Sequence, residues 1–345
     1  MIKNKSFFNV IKISSLFIAA TIGAGFASGK ELFIYFTQYQ ENSEISIALS
    51  GVLFLMVGFL FFHFIRRNKP QNIDDFFHIL LNNKVASLLS FLVIVFMLGV
   101  LSIMISGMSN IIVALTGFTY FYCTIFVTLL CIGILIKGIK GIVFISQFIT
   151  PILILGIFIL CTLFLQDTTL LPVSSGKQLY VHWSVSSLMY IAYNIIISTV
   201  VIIDVQYLMC SKKVIFLSSL LGSLGLYITS HLINKVLTKY YTLVAHEDLP
   251  MLSLAKHFNP FIFYVWSAIL FFAMLSTALS SAMGCLDYIH AKIVLDTKIM
   301  VFLFFSITLP LTYMGFSKLI LFFYPLFGII GLLLILFVLI KTIKT

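Results

Sequence analysis

Glycine and ionisable residues occur together inside the first apolar segment of the chain, where both are uncommon. Residues 19–31 read AATIGAGFASGKE. A glycine weakens a helix by up to about 1 kcal/mol relative to alanine, so Gly23, Gly25 and Gly29 predict an interruption of the helix. An interruption inside a membrane frees N–H and C=O groups that lipid cannot satisfy. It is tolerated where it lines a cavity and a ligand bonds to the freed groups.

Two ionisable side chains, Lys30 and Glu31, follow the glycines directly. Ionisable side chains in a membrane span normally face water or a partner. A break also creates a helix N-terminus between Gly25 and Ser28, which favours an anion such as a carboxylate. The alternative is close helix packing, because Gly25 and Gly29 form a GxxxG pair. The adjacent charged pair favours the break over packing.

A polar pair, Tyr193 and Asn194, lies in the middle of an apolar segment of the second half of the chain. The amide of Asn194 needs hydrogen-bond partners there, and a contact between packed helices would supply them as well as a ligand would. Asn194 follows Gly25 at close to half the chain length, so the two polar positions correspond between the halves.

A stripe of small and hydroxyl side chains occupies one helical face farther along the chain. Ala273, Ser276, Thr277 and Ser280 are spaced i, i+3, i+4 and i+7. Two adjacent hydroxyls, together with a carbonyl one turn earlier, offer the hard oxygen ligands that a small cation prefers. Packing between helices is the alternative and the more frequent use of such a stripe.

The composition requires a membrane protein. Of the 345 residues, 61% are hydrophobic and 9% are charged, whereas a soluble domain has about 25% charged residues. The net charge of +10 is explained by basic loops that orient membrane spans. No basic-aromatic cluster indicates nucleic-acid binding. The five cysteines include no CxxC pair and predict neither a disulfide nor a metal site.

Apolar runs of about 20 residues, the length that crosses a bilayer as a helix, predict an all-α polytopic protein with ten transmembrane helices. The predicted spans are 9–37, 45–65, 85–115, 119–136, 142–165, 183–206, 214–237, 260–288, 298–314 and 316–340. A short mixed stretch, 70–84, predicts an amphipathic helix on the membrane surface.

The distribution of basic residues predicts the orientation in the membrane. With a cytoplasmic N-terminus, fifteen of the 21 Lys and Arg residues fall on the cytoplasmic side. This bias predicts a multi-pass protein of the cell membrane with both termini in the cytoplasm. A cleavable signal peptide that ends near residues 24–28 is the alternative for the first span.

A polar connector at 166–182 divides the chain near its middle. Each half, 1–170 and 171–345, holds five predicted spans, and an odd number makes the second half enter the membrane from the opposite side. The spans therefore predict a 5+5 inverted repeat, a common plan of secondary transporters, with helices one and six broken near 23–28 and 192–195. Ten helices without internal symmetry are the alternative.

The nonapeptide that ends at Glu31, GAGFASGKE, resembles the opening motif of the YkvI-type membrane proteins, GAGFASGQE, at eight of nine positions. Lys30 stands where that motif has Gln. More broadly, the length and the number of spans resemble the amino acid–polyamine–cation (APC) transporter superfamily, which has the LeuT fold. The resemblance implies this fold, with its broken helices one and six, over the whole chain.

The same resemblance implies a sodium site between spans one and eight. Sodium-coupled members of the superfamily bind the ion through carbonyl groups of both spans and two hydroxyls of span eight. The matching positions here are Ala19, Ile22, Ala273, Ser276 and Thr277. Proton-coupled relatives have a lysine in span five, and its absence from residues 145–151 favours sodium. No organic cofactor is implied.

The resemblance also places a small-molecule substrate at the breaks of spans one and six. The matching positions are Thr21, Gly23, Gly25, Tyr193 and Asn194. Family members often close the outer vestibule with a charged pair, and Lys30 or Glu31 can take that part. Span ten contains no obvious acidic partner for such a gate.

The residues and the resemblance together predict a secondary active transporter of a small amino acid or amine, coupled to sodium and working by alternating access. The alternative is a non-transporting receptor or sensor subunit on the same fold. An enzyme is disfavoured, because the chain has no HExxH or GxSxG motif, no paired intramembrane carboxylates and no nucleotide-binding loop. The sequence does not set the oligomeric state.

Overall fold

A computed structural model describes residues 2–136, 142–166, 181–290 and 296–344. The described residues are overwhelmingly helical. The helices are α1 (Ile2–Thr21), α2 (Ala24–Ala27), α3 (Lys30–Tyr35), α4 (Ser43–Asn68), α5 (Ile73–Leu80), α6 (Asn83–Thr116), α7 (Tyr120–Ile136), α8 (Ile142–Gln166), α9 (Trp183–Asp204), α10 (Lys212–Lys239), α11 (Tyr241–Val244), α12 (Pro250–Phe258), α13 (Pro260–His290), α14 (Thr297–Thr312) and α15 (Phe316–Lys344). Short 3-10 helices cover Thr37–Asn42 and Gln206–Leu208.

The described helices include seven that are long and apolar enough to cross a membrane. Three shorter apolar helices, Ser6–Thr21, Tyr120–Ile136 and Lys298–Thr312, lie at the positions of the other three predicted spans. The expectation of an all-helical membrane protein is therefore confirmed. The predicted connector and the boundary between the two halves fall largely on residues 167–180, outside the described residues.

Helix α9 lies at the centre of the helices that form the candidate site. It packs against α1, α4 and α15, and α10 packs against both α1 and α4. A second group is built on α13, which packs against α6 and α8. Helix α15 joins the groups because it contacts α6 as well as α9.

The predicted amphipathic helix at 70–84 is α5. Its N-cap is Asn72, whose side chain accepts a hydrogen bond from the backbone N–H of Asp75 at 2.8 Å. Phe76 is fully buried, and its ring lies 6.1 Å from that of Phe61 and 5.4 Å from that of Phe64, both on α4. The apolar face of α5 is thus covered by protein, which differs from the expected position on a lipid surface.

The first predicted break is present and the second is not. The segment that follows α1 is interrupted at residues 22–23 and again at residues 28–29. By contrast, α9 is continuous through residues 192–195, so the prediction of a broken sixth span was wrong. The Asn194 side chain donates to the carbonyl oxygen of Tyr190 at 2.8 Å, one turn earlier. The polar group that suggested a break is satisfied within the helix, and no glycine weakens it.

Candidate functional site

The first interruption separates α1 from α2 by two residues. Gly23 has an extended backbone (φ −93°, ψ −174°). Its N–H group donates a hydrogen bond to the carbonyl oxygen of Thr21 at 2.9 Å. In a continuous helix that N–H would bond to the carbonyl of Ala19. The break therefore removes the helical partner of the Ala19 carbonyl, which is one of the predicted sodium ligands.

The second interruption, at Ser28 and Gly29, separates α2 from α3. Gly29 has φ +82°, a conformation that glycine adopts without strain. The Ser28 hydroxyl donates to the carbonyl oxygen of Gly25 at 2.7 Å, and the Ser28 carbonyl accepts from the N–H of Met251 at 3.0 Å. The backbone freed by this second break is thus satisfied by the chain itself, partly by α12.

Glu31 points back into the interrupted segment. Its side chain is buried, and the Tyr193 hydroxyl donates a hydrogen bond to Oε1. A Cβ atom at Gly25 would lie 2.8 Å from Oε2, so the carboxylate rests directly against this glycine. Asn194 interacts with the same carboxylate. The structure thus brings Glu31, a predicted gate residue, together with three of the predicted substrate residues.

Four buried tyrosines surround this carboxylate, and we call them the tyrosine cage. They are Tyr35 of α3, Tyr190 and Tyr193 of α9, and Tyr324 of α15. The ring centroids of Tyr193 and Tyr324 are 4.6 Å apart in a stacked arrangement. Tyr35 lies 5.4 Å from Tyr190 and 5.6 Å from Tyr193. Glu31 interacts electrostatically with all four phenols.

Three members of the tyrosine cage were missed from the sequence. Tyr190 stands three residues before Tyr193, on the same helical face, and this spacing is a signal that was available. Tyr35 and Tyr324 carry no such signal, because only the packing of α3 and α15 against α9 brings them to Glu31.

The other predicted gate residue, Lys30, points away from the tyrosine cage. Its Nζ donates to the carbonyl oxygen of Glu247 at 2.7 Å and lies 5.7 Å from the centroid of the Phe33 ring. Asp248 attracts the same ammonium group. The acidic neighbours of Lys30 therefore come from the segment between α11 and α12, where the sequence offered no reason to look for them.

Thr21 ends α1, and its hydroxyl tethers that helix to α9. The hydroxyl donates to the carbonyl oxygen of Phe17 at 3.1 Å and lies 3.3 Å from the hydroxyl of Ser198. The last predicted substrate residue is thus placed at the break, between α1 and α9, as the sequence suggested.

The remaining predicted sodium ligands lie on α13 and at the end of α1. Helix α2 packs against α13, which brings the interrupted segment and the hydroxyl stripe into contact. The Thr277 hydroxyl donates to the carbonyl oxygen of Ala273 at 3.0 Å, and this bond leaves the hydroxyl lone pairs available. Ser276 is buried, as is Ile22. This geometry is compatible with the predicted ion site, which stays a prediction.

The sequence comparisons identify relatives of similar length. No protein-family profile matches the chain. The uncharacterized membrane protein YkvI of Bacillus subtilis (strain 168) is 23% identical over 329 residues, which cover 93% of this chain and 92% of YkvI. The protein YyaD of the same organism is 21% identical over 320 residues, covering 93% of each chain. The expected resemblance to YkvI-type proteins is thereby confirmed.

The structural comparisons decide the fold. The inward-facing structure of Mhp1 matches with a TM-score of 0.67 at 13% identity, covering 93% of this chain and 73% of Mhp1. A manganese transporter of Eremococcus coleocola matches with a TM-score of 0.55 at 14% identity, covering 93% of this chain and 77% of that protein. The chain has the LeuT-type transporter fold. YkvI is described as a membrane protein, and the solved structures that share this fold are transporters.

Proposed function

We propose that this protein is a secondary active transporter of a small amino acid or amine. The single observation that carries the proposal is the interrupted first span, whose Gly25 backbone faces the buried Glu31 carboxylate. Unwound backbone beside an ionisable group inside a membrane span is the typical construction of a transport site. The LeuT-type fold supports the proposal, since the matching solved structures are named as transporters.

The proposed architecture has ten spans arranged as a 5+5 inverted repeat in the cell membrane, with both termini in the cytoplasm. In this architecture the first span is broken, and the sixth span, α9, is continuous. Alternating access then consists of a movement of α1–α3 and their packing partners around the site, with α9 as a continuous support. The end of the bundle that carries α11 and α12, which we call the α12 end, faces outward in this topology.

Sodium is the proposed coupling ion. Its ligands are the carbonyl oxygens of Ala19, Ile22 and Ala273 and the hydroxyls of Ser276 and Thr277. The freed Ala19 carbonyl and the packing of α2 against α13 support this assignment. Five neutral oxygens suit a hard monovalent cation, because no additional negative charge is needed to hold it.

Uptake into proteoliposomes tests the function. The purified protein should accumulate a labelled amino acid or amine when a sodium gradient is imposed, and the accumulation should collapse when the gradient is removed. The Gly25→Leu variant should lose uptake, because its Cβ would lie 2.8 Å from Oε2 of Glu31 and 3.3 Å from the Tyr324 hydroxyl.

Gly133→Leu is the matched control for Gly25→Leu. Gly133 lies on α7, and a Cβ there meets nothing within 4 Å. This variant should transport as the wild type does. Normal uptake by Gly25→Leu would show that the break is not the transport site, and ligand binding without any uptake would point to a receptor.

A further inference from the structure

Within the part of the chain that the structure describes, no cationic side chain is paired with the Glu31 carboxylate. In the described residues, the other buried charged side chain is Lys30, and its ammonium group is bound to the carbonyl oxygen of Glu247 instead. Glu31 receives one hydrogen bond from the Tyr193 hydroxyl and interacts with Asn194. A buried carboxylate is costly unless it is paired with a cation or protonated. The site therefore selects for positive charge and against anions.

The tyrosine cage adds aromatic faces to this negative charge. A cation is attracted to the face of a tyrosine ring when it lies within about 6 Å of the ring centroid, and desolvation strengthens the attraction. Neighbouring rings of the cage are 4.6 to 5.7 Å apart and pack against one another in this structure, so a cation that separates them would contact several faces. Carboxylate and phenol rings together form the chemistry that recognises an organic ammonium group.

Unpartnered hydroxyl groups refine the choice of cation. The Tyr35 hydroxyl is buried and has no hydrogen-bond partner within the described residues. The Tyr190 hydroxyl is also buried. It interacts with Ser230, but the two groups do not meet the geometric criteria of a hydrogen bond. A buried hydroxyl without a hydrogen-bond partner destabilises the folded protein. A ligand that carries N–H groups would satisfy such a hydroxyl, whereas a quaternary ammonium ion has no N–H to donate.

We propose that Glu31 and the tyrosine cage bind the protonated primary amino group of the transported substrate. Glu31 supplies the counter-charge, rings of the cage supply cation–π contacts once the ligand has separated them, and the Tyr35 hydroxyl accepts an N–H hydrogen bond. The ammonium group takes the place of the Tyr193 hydroxyl on Oε1 of Glu31. The inference rests on the proposed function for the location of the substrate, and it narrows the substrate class to amines.

Ligand binding to the purified full-length protein tests this inference without any transport. The probes are n-butylammonium, tetramethylammonium, n-butanol and butyrate, at constant sodium, and the readout is the melting temperature as a function of probe concentration. We expect n-butylammonium to raise the melting temperature in a saturable way. We expect no such effect of n-butanol or butyrate, which have a similar chain but no positive charge.

Two substitutions at Glu31 isolate its charge. Glu31→Gln should weaken n-butylammonium binding by about 10- to 100-fold, as the loss of a hydrogen bond to a charged group would, while Glu31→Asp should retain much of the binding. Glu41→Gln is the matched control, because Glu41 is exposed on the 3-10 helix at 37–42. It should bind as the wild type does. If Glu31→Gln does not fold, the comparison of Glu31→Asp with the wild type and the next variant still tests the site.

Tyr35→Phe tests the N–H acceptor separately from the charge. It keeps the ring and removes the hydroxyl, so we expect binding of n-butylammonium to weaken several-fold and binding of tetramethylammonium to stay unchanged. Equal losses for both cations would contradict the assigned hydrogen bond.

The outcomes separate this inference from the proposed function. If amine binding depends on Glu31 but no uptake occurs, the proposed transport function is wrong and the proposed amine site is supported. If Glu31→Gln does not change uptake, the proposed transport function is supported and the proposed amine site is wrong. Stabilisation by sodium chloride that is lost in Glu31→Gln, with no response to n-butylammonium, would overturn the amine assignment and make Glu31 an inorganic-cation site.

Discussion

Gly25 and Glu31 are six residues apart in sequence, and the interruption at Ser28 and Gly29 lets them touch. In an unbroken helix they would be separated by about 9 Å along the axis. In the structure, Oε2 of Glu31 lies 2.8 Å from the position that a Cβ atom would take at residue 25. At the residue scale, the site therefore depends on one glycine without a side chain and one carboxylate that turns back toward it.

Thr277 provides the residue-scale test of the sodium site. Thr277→Val keeps the shape of the side chain and removes the hydroxyl that donates to the Ala273 carbonyl oxygen. Loss of one neutral oxygen ligand should cost about 1–3 kcal/mol, by analogy with an unsatisfied polar group. We expect the sodium concentration for half-maximal uptake to rise by about 5- to 150-fold, with higher sodium restoring much of the rate.

Thr342→Val is the control for this measurement. The Thr342 hydroxyl makes the same kind of bond, to the carbonyl oxygen of Val338 at 2.7 Å, near the end of α15. Its substitution should leave the sodium dependence unchanged. If Thr277→Val lowers only the melting temperature and not the apparent sodium affinity, the hydroxyl stripe serves helix packing.

At the scale of the elements, the contact between α9 and α15 holds two of the cage tyrosines in place. The backbone of α15 approaches α9 closely at two glycines. A Cβ at Gly328 would lie 3.2 Å from the carbonyl oxygen of Met189, and a Cβ at Gly331 would lie 2.0 Å from that of Ala192. Tyr193 and Tyr324 can stack at 4.6 Å because the two helices meet this closely.

Gly331→Ala should therefore separate α15 from α9. The obstructing atoms belong to the α9 backbone, which cannot rotate away as a side chain would, so the helices must move apart. We expect a loss of about 1–3 kcal/mol of stability, in the range of other overpacked positions, and weaker substrate binding. Thermal unfolding and binding measured on the same purified sample check both. Gly133→Ala, which meets nothing within 4 Å, should lower neither stability nor binding. Unchanged stability and binding in Gly331→Ala would contradict the close contact.

Hydropathy predicted the helices well because it is a local property. Each predicted span overlaps a helix of the structure, and the glycines located the first break. The break at 192–195 was inferred from correspondence between the halves rather than from local weakness. The Asn194 amide donates a hydrogen bond to the Tyr190 carbonyl oxygen of its own helix. The polar residue therefore needs no break in α9, and the analogy with the first span was wrong.

The candidate site was less predictable because it is assembled from distant segments. Gly23, Gly25, Tyr193 and Asn194 were found from polarity and backbone weakness inside apolar runs. The orientation of Glu31 toward Tyr193, and of Lys30 toward Glu247, depends on the second interruption at Gly29. Adjacent residues in a continuous helix point about 100° apart, and nothing in the sequence says which of them faces inward.

At the scale of the whole molecule, the α12 end is closed by a polar network that joins three elements. Asp248 accepts hydrogen bonds from Asn110 of α6 at 2.9 Å and from Ser317 of α15, and it attracts Lys30 of α3. The loop that carries Asp248 continues into α12. In this helix, the N–H group of Met251 donates a hydrogen bond to the carbonyl oxygen of Ser28. In the proposed topology, opening toward the outside must break these contacts.

Asp248→Asn should weaken this closure and shift the molecule toward states that are open at the α12 end. The amide can still accept from Asn110 and donate to the Ser317 hydroxyl, but it loses the negative charge that attracts Lys30, so we expect a cost of about 1 kcal/mol and a roughly fivefold population shift. Spin labels at Lys256→Cys and Leu115→Cys, on a Cys210→Ser background, report the distance between α12 and the end of α6. Asp248→Asn should add a longer distance to the distribution. Glu41→Gln is the matched control, because it makes the same change from carboxylate to amide at an exposed position of the 3-10 helix at 37–42, and its distribution should stay near that of the wild type. Identical distributions for wild type and Asp248→Asn would show that the network does not control opening at this end.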